Sequence, residues 1–400
     1  MKAATVGFLR QRFAEYYRTA PLSAPPSVEQ REWAFVLFDP GYPEIRMRRH
    51  IGYPGKTELF EYIRSVAPAH LYYSSAYYLL PHAPTMGEKG WRGADLIFDL
   101  DADHIVRGPY EVMLARVREE TLKLVGMLTG ELGFGEHEIH LAFSGGRGYH
   151  IHIRDIAVRG WGSAERRELV DYVCGIGLDP GIILSLPSPS PRGWRQRYIE
   201  ALTEYLMMLE TMEPKEAVAE LSALEGVGKV TAEEFLKRSP ALRSGLQKNP
   251  AGINLRDVAV GRVLRSLSSA KEGRFSALLR EKAALADEPV TTDTKRLIRL
   301  PSSLHGGSGL RVTPVPVRDL PEFDPLTDAV VFGNRSVRVD CIRPVTMPIA
   351  GTSRSASTWR SRSMIASRNF TRTPPSPAST CGGRSASNRK KSTPRRRASW

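Results

Sequence analysis

Apolar residues recur along this chain with two periods, and the places where one gives way to the other divide it. At the start, Val6, Leu9, Phe13 and Tyr17 fall three to four apart among charges, which predicts an amphipathic helix and not the continuous apolar middle of a secretory signal. "WAFVLFD" (33–39) and "EIRMRRHIGY" (44–53) predict extended segments. "KTELFEYIRSV" predicts a helix, and "YEVMLARVREETLKLVGMLTGELG" a long amphipathic helix ending at glycine. Between 160 and 285 the helical period dominates, in "SAERRELVDYVCGIG", "WRQRYIEALTEYLMMLETM" and "AVGRVLRSLSSAKEGRFSALLREKAALA". Strand patterns return after 287 in "LRVTPVPV" and "AVVFGNRSVRVD", the latter a predicted hairpin about Gly333 and Asn334. The expected organisation is an α/β core in two parts, 1–159 and 286–341, an inserted helical subdomain at 160–285, and a tail at 342–400.

Composition changes this picture only at the tail. The formal net charge of +14 suggests a protein built to hold nucleic acid. Of the 57 basic residues, however, 13 lie in 342–400, which has no acidic residue, so residues 1–341 carry 44 basic against 43 acidic side chains, a net of +1. The tail is Ser, Thr, Arg and Pro without a period, which predicts disorder. It reads either as a basic arm with nonspecific phosphate affinity or as the product of a reading-frame slip near the end of the coding sequence. Cys174, Cys341 and Cys381 are far apart and lack metal-ligand spacing, which points to a reducing cytoplasm and gives no zinc signature. No apolar run approaches the roughly 20 residues that span a bilayer, so no membrane partner is expected.

The candidate chemistry begins in "ADLIFDLDADH". With a period of two, Ala94, Leu96, Phe98, Leu100 and Ala102 share one face, while Asp95, Asp99, Asp101 and Asp103 share the other, interrupted only by Ile97. One face belongs to a core and the other to a charged cleft. Residues two apart on a strand are roughly 6.5–7 Å apart, which suits carboxylates that bracket two divalent ions about 3.5–4 Å from one another. Without cations, carboxylates this close repel and one has a raised pKa. The plain alternative is a solvated strand face, for which aspartate is a poor choice because it is depleted in strands.

Next comes "IHLAFSGGRGYHIHIRD" (139–155), in which two alternating runs flank a Gly-rich turn and predict a hairpin. Gly145, Gly146 and Gly148 let backbone amides approach a phosphate, while Ser144, Arg147 and His150 supply donors for its oxygens. Alone, such a turn is only a turn; beside an acidic strand it reads as a phosphate cradle. A third stretch, "ADEPVTTDTKRLIRLPSSLHGGSGLRV" (286–312), offers Asp287 and Asp293 as acids, Lys295, Arg296, Arg299 and Arg311 as cations, and His305 before a flexible "GGSG".

"DLIFDLDADH", "SGGRGYHIHI" and "RLIRLPSSLHGGSGLRV", in this order and at these separations, resemble the catalytic small subunit of archaeal and eukaryotic DNA primases, most closely the archaeal form, over about residues 30–340. The resemblance implies a primase-type α/β core of two mixed or antiparallel sheets flanked by helices. It also implies template-directed nucleotidyl transfer that starts short primers de novo on single-stranded DNA from nucleoside triphosphates. By the family's motifs, Asp99, Asp101 and Asp287 hold two magnesium or manganese ions, with Asp293 the second choice for the third acid. Ser144, Gly145, Arg147 and His150 match triphosphate contacts of the hairpin, Arg299 and His305 match late-segment contacts, and Arg49 in "MRRH" either matches a basic residue near the initiating nucleotide or is an ordinary solvated strand residue. The implied partner is a primase large subunit.

Two departures from the family stand out. Gly307 occupies the position where many relatives carry a lysine, so one phosphate cation is missing or is replaced by Arg311 or Arg299. The Cys/His zinc knuckle of many relatives has no counterpart in composition, and no zinc is predicted. "LSALEGVGKVTAEEFL" (221–236) looks like a helix-hairpin-helix whose amides about Gly226 and Gly228 would meet a DNA phosphate, or like a helical hairpin that needs glycine merely to turn. Two other functions compete. One is an end-joining polymerase like the polymerase domain of bacterial repair ligases, relatives that typically show lysine where Arg147 stands and lack the helical insertion. The other is a catalytically silent nucleic-acid-binding module.

Overall fold

A computed structural model describes residues 1–44, 46–105, 107–185, 192–248 and 255–333, together with the backbone of two short strands, Met347–Ile349 and Thr352–Arg354. The chain divides into two units, Met1–Val331 and Phe332–Trp400. In the second, the two short strands pair antiparallel, a local order that the aperiodic sequence there does not predict. The hairpin expected about Gly333 and Asn334 runs into residues outside those described.

The first unit begins with helix α1 (Ala3–Thr19), strands β1 (Trp33–Val36) and β2 (Met47–Ile51), helix α2 (Lys56–Val66) and strands β3 (His70–Ser74), β4 (Ala76–Tyr78), β5 (Trp91–Ala94) and β6 (Leu96–Asp101). Helices α3 (Ala102–Ile105) and α4 (Tyr110–Gly130) lead to the hairpin of β7 (Ile139–Phe143) and β8 (Gly148–Ile153). A helical stretch follows: α5 (Ile156–Arg159), α6 (Ser163–Cys174), α7 (Pro180–Ser185), α8 (Gly193–Thr211), α9 (Pro214–Ser222), α10 (Lys229–Lys248), α11 (Val258–Ser269), α12 (Arg274–Lys282) and α13 (Glu288–Thr292). Strands β9 (Leu297–Arg299) and β10 (Thr313–Pro314) return to the sheets before α14 (Pro325–Asp328).

Two four-stranded sheets result, in the orders β2-β1-β3-β9 and β10-β7-β8-β6, antiparallel throughout the described pairs. Alternation dictates the second. Leu96, Phe98 and Leu100 of β6, Tyr149, Ile151 and Ile153 of β8, and Ile139, Leu141 and Phe143 of β7 all point to one core, against Leu114, Val117, Leu124 and Leu128 of α4. The opposite face of the same strands carries His150 and His152, buried where Tyr73 of β3 meets them, with the Tyr73 hydroxyl 3.2 Å from His152 Nδ1. On the first sheet, Phe35 packs its ring 5.0 Å from Tyr62 of α2, and α1 buries Val6, Phe13 and Tyr17 as its spacing predicts.

Four local expectations are corrected. The acidic strand ends at Asp101, because its partner β8 begins at Gly148, opposite Asp101; Asp103 therefore sits in α3. Asp95 does not face a cleft: it is buried, and its carboxylate takes Arg31 Nη2 at 2.9 Å and the Tyr77 hydroxyl at 2.7 Å. Ile97 is buried as well, so both faces of β6 are covered at its start and only its end is open. The run 259–286 is broken into α11 and α12 at Gly273, whose φ of +118° no helix accommodates. "LRVTPVPV" yields only the two residues of β10, since Pro314 and Pro316 cannot donate to a ladder.

The helical stretch has its own core, in which Tyr198, Leu202, Leu206, Phe235, Val263 and Leu264 meet. That core starts with residues about 178–183 and not at 160, because Leu169 and Val173 of α6 pack into the sheet's core and Arg166 donates to the carbonyls of Ala94 and Asp95. Among the described residues no helix is long and apolar enough to cross a membrane.

Because Arg31 and Asp95 are both fully enclosed, with side-chain exposures of 0% and 1%, removing one partner strands the other charge in the interior. Asp95→Ala is expected to lower the unfolding free energy in urea by about 3–5 kcal/mol. A loss below about 1 kcal/mol would mean that Asp95 faces solvent after all.

Candidate active site

Asp99 of β6 and His150 of β8 line a cleft of about 420 Å³ together with Met47, Arg49, Tyr72, Asp293 and the run from Lys295 to Arg299. Asp99 and Asp101 are both partly exposed, two residues apart on one strand, and Asp99 is the one that lines the cleft. Register sets their neighbours: Asp99 stands opposite His150, whose Nε2 lies 3.5 Å from Asp99 Oδ1, and Asp101 stands opposite Gly148. One oxygen of Asp101 accepts the amide of Asp103, while Asp103 pairs with Arg147 at 2.6 Å. That pair was not foreseen, although an aspartate two places beyond the acidic strand and an arginine at the tip of the facing turn were both visible.

Asp287 occupies the residue just before α13, and its amide donates to the carbonyl of Asp99 at 3.0 Å. The third acid is thereby tied to the acidic strand through the main chain. Asp293, the second choice, lines the cleft, with Oδ1 accepting the amide of Lys295. Among the described residues no three His, Cys, Asp or Glu side chains are gathered so as to hold a metal ion. What fits divalent cations is the donor chemistry, carboxylate oxygens that suit magnesium or manganese. His150 and Arg299 line the same cleft, and Arg299 Nε, a buried donor without a hydrogen-bond partner, suits an anion such as a phosphate.

The Gly-rich turn is closed from within. Ser144, almost buried, accepts the amides of Gly146 and Gly148 at 3.3 and 3.2 Å, so its oxygen staples the turn and its hydroxyl proton is what it can offer a ligand. Gly145 has φ +74°, and a Cβ there would lie 2.9 Å from Cβ of His305; only glycine lets the hairpin touch the late segment. His305 Nδ1 accepts the amide of Ser308 at 3.1 Å, which leaves Nε2 as the donor. Burial, then Arg299, His70 and Arg147, push His305 down to about 3, and burial with Arg299 and Arg296 pushes His150 to about 3 against the pull of Asp101. Both are neutral hydrogen-bonding groups at neutral pH.

Arg299 leaves β9 beside Tyr72, its guanidinium 5.5 Å from the ring centre, and lines the cleft. Arg311 instead turns to the Asp328 carbonyl at 3.2 Å, so of the two arginines that could replace a lysine at 307, Arg299 is the one in the cleft. Arg49 also lines the cleft, and its Nε donates to Glu32 Oε1 at 2.9 Å. Glu32 is enclosed. Burial raises its pKa, but hydrogen bonds from Arg49 and the His50 amide and the charges of Arg49 and Lys89 outweigh that and hold it below the usual range. Glu32, Tyr72 and Lys89 were missed; a glutamate heading the apolar run "WAFV" carried the same signal as the aspartates of β6.

A strand of carboxylates paired edge to edge with a Gly-rich hairpin, beside a cation-lined cleft, is the layout of an enzyme that handles nucleoside triphosphates. The chain belongs to the DNA primase small subunit family, whose family model matches residues 98–317. It is 59% identical to the DNA primase small subunit PriS of Methanoregula boonei, over 88% of this chain and 92% of that protein. Against the PriS of Methanospirillum hungatei the identity is 52%, over 88% and 91%, and against that of Methanosphaerula palustris 50%, over 89% and 93%. Among solved structures, the polymerase domain of Mycobacterium tuberculosis Ligase D in complex with DNA matches with a TM-score of 0.32 and 12% identity, covering 80% of this chain and 83% of that one, too loose a likeness to carry an argument. The chain is thus a primase, a nucleotidyltransferase of DNA replication.

The buried histidines between the sheets give the fold an acid limit. Burial, with Arg299, holds His70 at about 4, and burial with Arg154 and neighbouring histidines holds His152 well below 6.5. Below pH about 6.5 the unfolded chain binds protons that the folded chain does not, so stability falls with pH through this range and levels only below the folded-state values. Urea unfolding at pH 5 should show about 2 kcal/mol less stability per such histidine than at pH 7. His70→Asn should flatten this slope; an unaltered slope contradicts the assignment.

Proposed function

We propose that this cleft joins nucleotides into short primers de novo on single-stranded DNA, with Asp99, Asp101 and Asp287 holding two magnesium or manganese ions. The observation that carries this reading is the hydrogen bond from the Asp287 amide to the Asp99 carbonyl, which brings the late acid to the acidic strand. When bound, the ions would lower the pKa of the attacking 3′-hydroxyl and neutralise charge on the reacting phosphate and the leaving pyrophosphate.

The chain's own groups do the rest. The amides of the Gly145–Gly148 turn, the Ser144 hydroxyl, Arg147 and the neutral donors of His150 and His305 orient the triphosphate, and Arg299, Arg296 and Lys295 face its charge from the opposite wall. Arg49, fixed by Glu32, serves the initiating nucleotide from the edge of the first sheet. The new bond joins the 3′-oxygen to the α-phosphorus as the α–β bridge breaks, and pyrophosphate leaves. A large subunit is the expected partner, and the cytoplasm the expected compartment.

Purified protein given an unprimed single-stranded template, nucleoside triphosphates and manganese should make short oligomers. Asp101→Asn should reduce the rate by at least about two to three orders of magnitude, comparable to losing a key transition-state contact. Its unfolding free energy should change by less than about 1 kcal/mol, because Asp101 is not enclosed. Normal synthesis by Asp101→Asn would overturn the assignment.

A further inference from the structure

We propose that His70 and Tyr42 are positioning residues that clamp the loop from His305 to Ser308, so that His305 meets the triphosphate at the height of the Gly-rich hairpin. The inference rests on the reading of His305 as a phosphate contact. Both backbone polar atoms of Gly306 are taken by side chains from the first sheet's side of the cleft. The Gly306 amide donates to His70 Nδ1 at 3.4 Å, and the Tyr42 hydroxyl donates to the Gly306 carbonyl at 3.0 Å. The fit is close: a Cβ on residue 306 would lie 2.7 Å from His70 Nε2, 2.9 Å from the Ala69 carbonyl and 2.9 Å from the Tyr42 hydroxyl.

The clamp stands on firm ground. His70 opens β3, which is paired on both sides, with β1 and β9, and both His70 and Tyr42 are buried. The His70 ring also meets the His305 ring edge-on, with centroids 4.9 Å apart. Across the cleft, the Ser308 hydroxyl donates to the Gly145 carbonyl at 2.5 Å, fastening the other end of the loop to the nucleotide hairpin. The loop is internally closed, with the His305 amide on the Leu310 carbonyl and the Gly309 amide on the His305 carbonyl, so it moves as a piece and its placement is set by these anchors.

The clamp matters because of Gly307. With no lysine there and the Ser308 hydroxyl engaged by Gly145, the side-chain donor the loop offers a phosphate is Nε2 of His305, and a displacement of about 1 Å in such a group can cost up to about a hundredfold. The anchors are individually weak, so their loss should appear as a misplaced donor and not as unfolding.

The test is extension of a primed single-stranded template under nucleotide titration. His70→Phe keeps a flat ring but no acceptor, and should raise the nucleotide KM about tenfold with kcat within about threefold. Tyr42→Phe, which removes one hydroxyl, should raise KM about threefold. His70→Asn, whose side-chain oxygen takes the place of Nδ1, should restore a KM close to that of the original protein. The double variant His70→Phe/His305→Ala should be no worse than His305→Ala alone, since the clamp acts through His305. If His305→Ala raises KM while His70→Phe and Tyr42→Phe do not, or if the double variant is additive, the clamp is overturned and the phosphate reading stands. If His305→Ala leaves KM unchanged, the phosphate reading fails and the clamp's function with it.

Discussion

One main-chain hydrogen bond joins the two halves of this site. The amide of Asp287 donates to the carbonyl of Asp99, and the segment it brings in then runs through α13 and β9 to place Arg299 and the His305 loop opposite the hairpin. Such a bond contributes only about 0.5–1.5 kcal/mol in isolation. Its leverage comes from the surroundings. β9 pairs with β3 in one sheet and β10 with β7 in the other, so the late segment is stitched to both.

The layer between the sheets shows the other constraint. Nearly every ionisable group there is either paired or neutral: Arg31 with Asp95, Glu32 with Arg49 and Lys89, and His70, His150 and His152 without charge. An enclosed unpaired charge would be costly, and the fold avoids it by matching partners within the first sheet and its neighbours. At the open end, His150 and Arg299 line the cleft, and each has a buried nitrogen without a hydrogen-bond partner.

Much of this was legible in the chain. The period-two runs of β6, β7 and β8 gave the second sheet and its core face, because a half-buried antiparallel sheet leaves a plain alternating trace. The acidic strand and the Gly-rich turn were read from residue types, whereas the late segment offered Asp287 and Asp293 alike and only the family resemblance singled out Asp287. Other features were not legible. Asp95 looked equivalent to Asp99, since parity says which face a residue occupies but not whether another sheet covers that face. The clamp on Gly306 draws on Tyr42 and His70, residues remote in sequence that carry no pattern, and the break at Gly273 was hidden inside a run with helical spacing.

The central claim is that Asp287, and not Asp293, completes the cation site with Asp99 and Asp101. Manganese titration followed by electron paramagnetic resonance, with no nucleotide or DNA present, addresses it directly. Asp287→Asn should weaken manganese binding at least about tenfold, the scale on which metal sites respond to altered ligation, and Asp293→Asn should leave it within about twofold. The reverse pattern would give the third carboxylate to Asp293 and remove the Asp287 bond from the centre of the account.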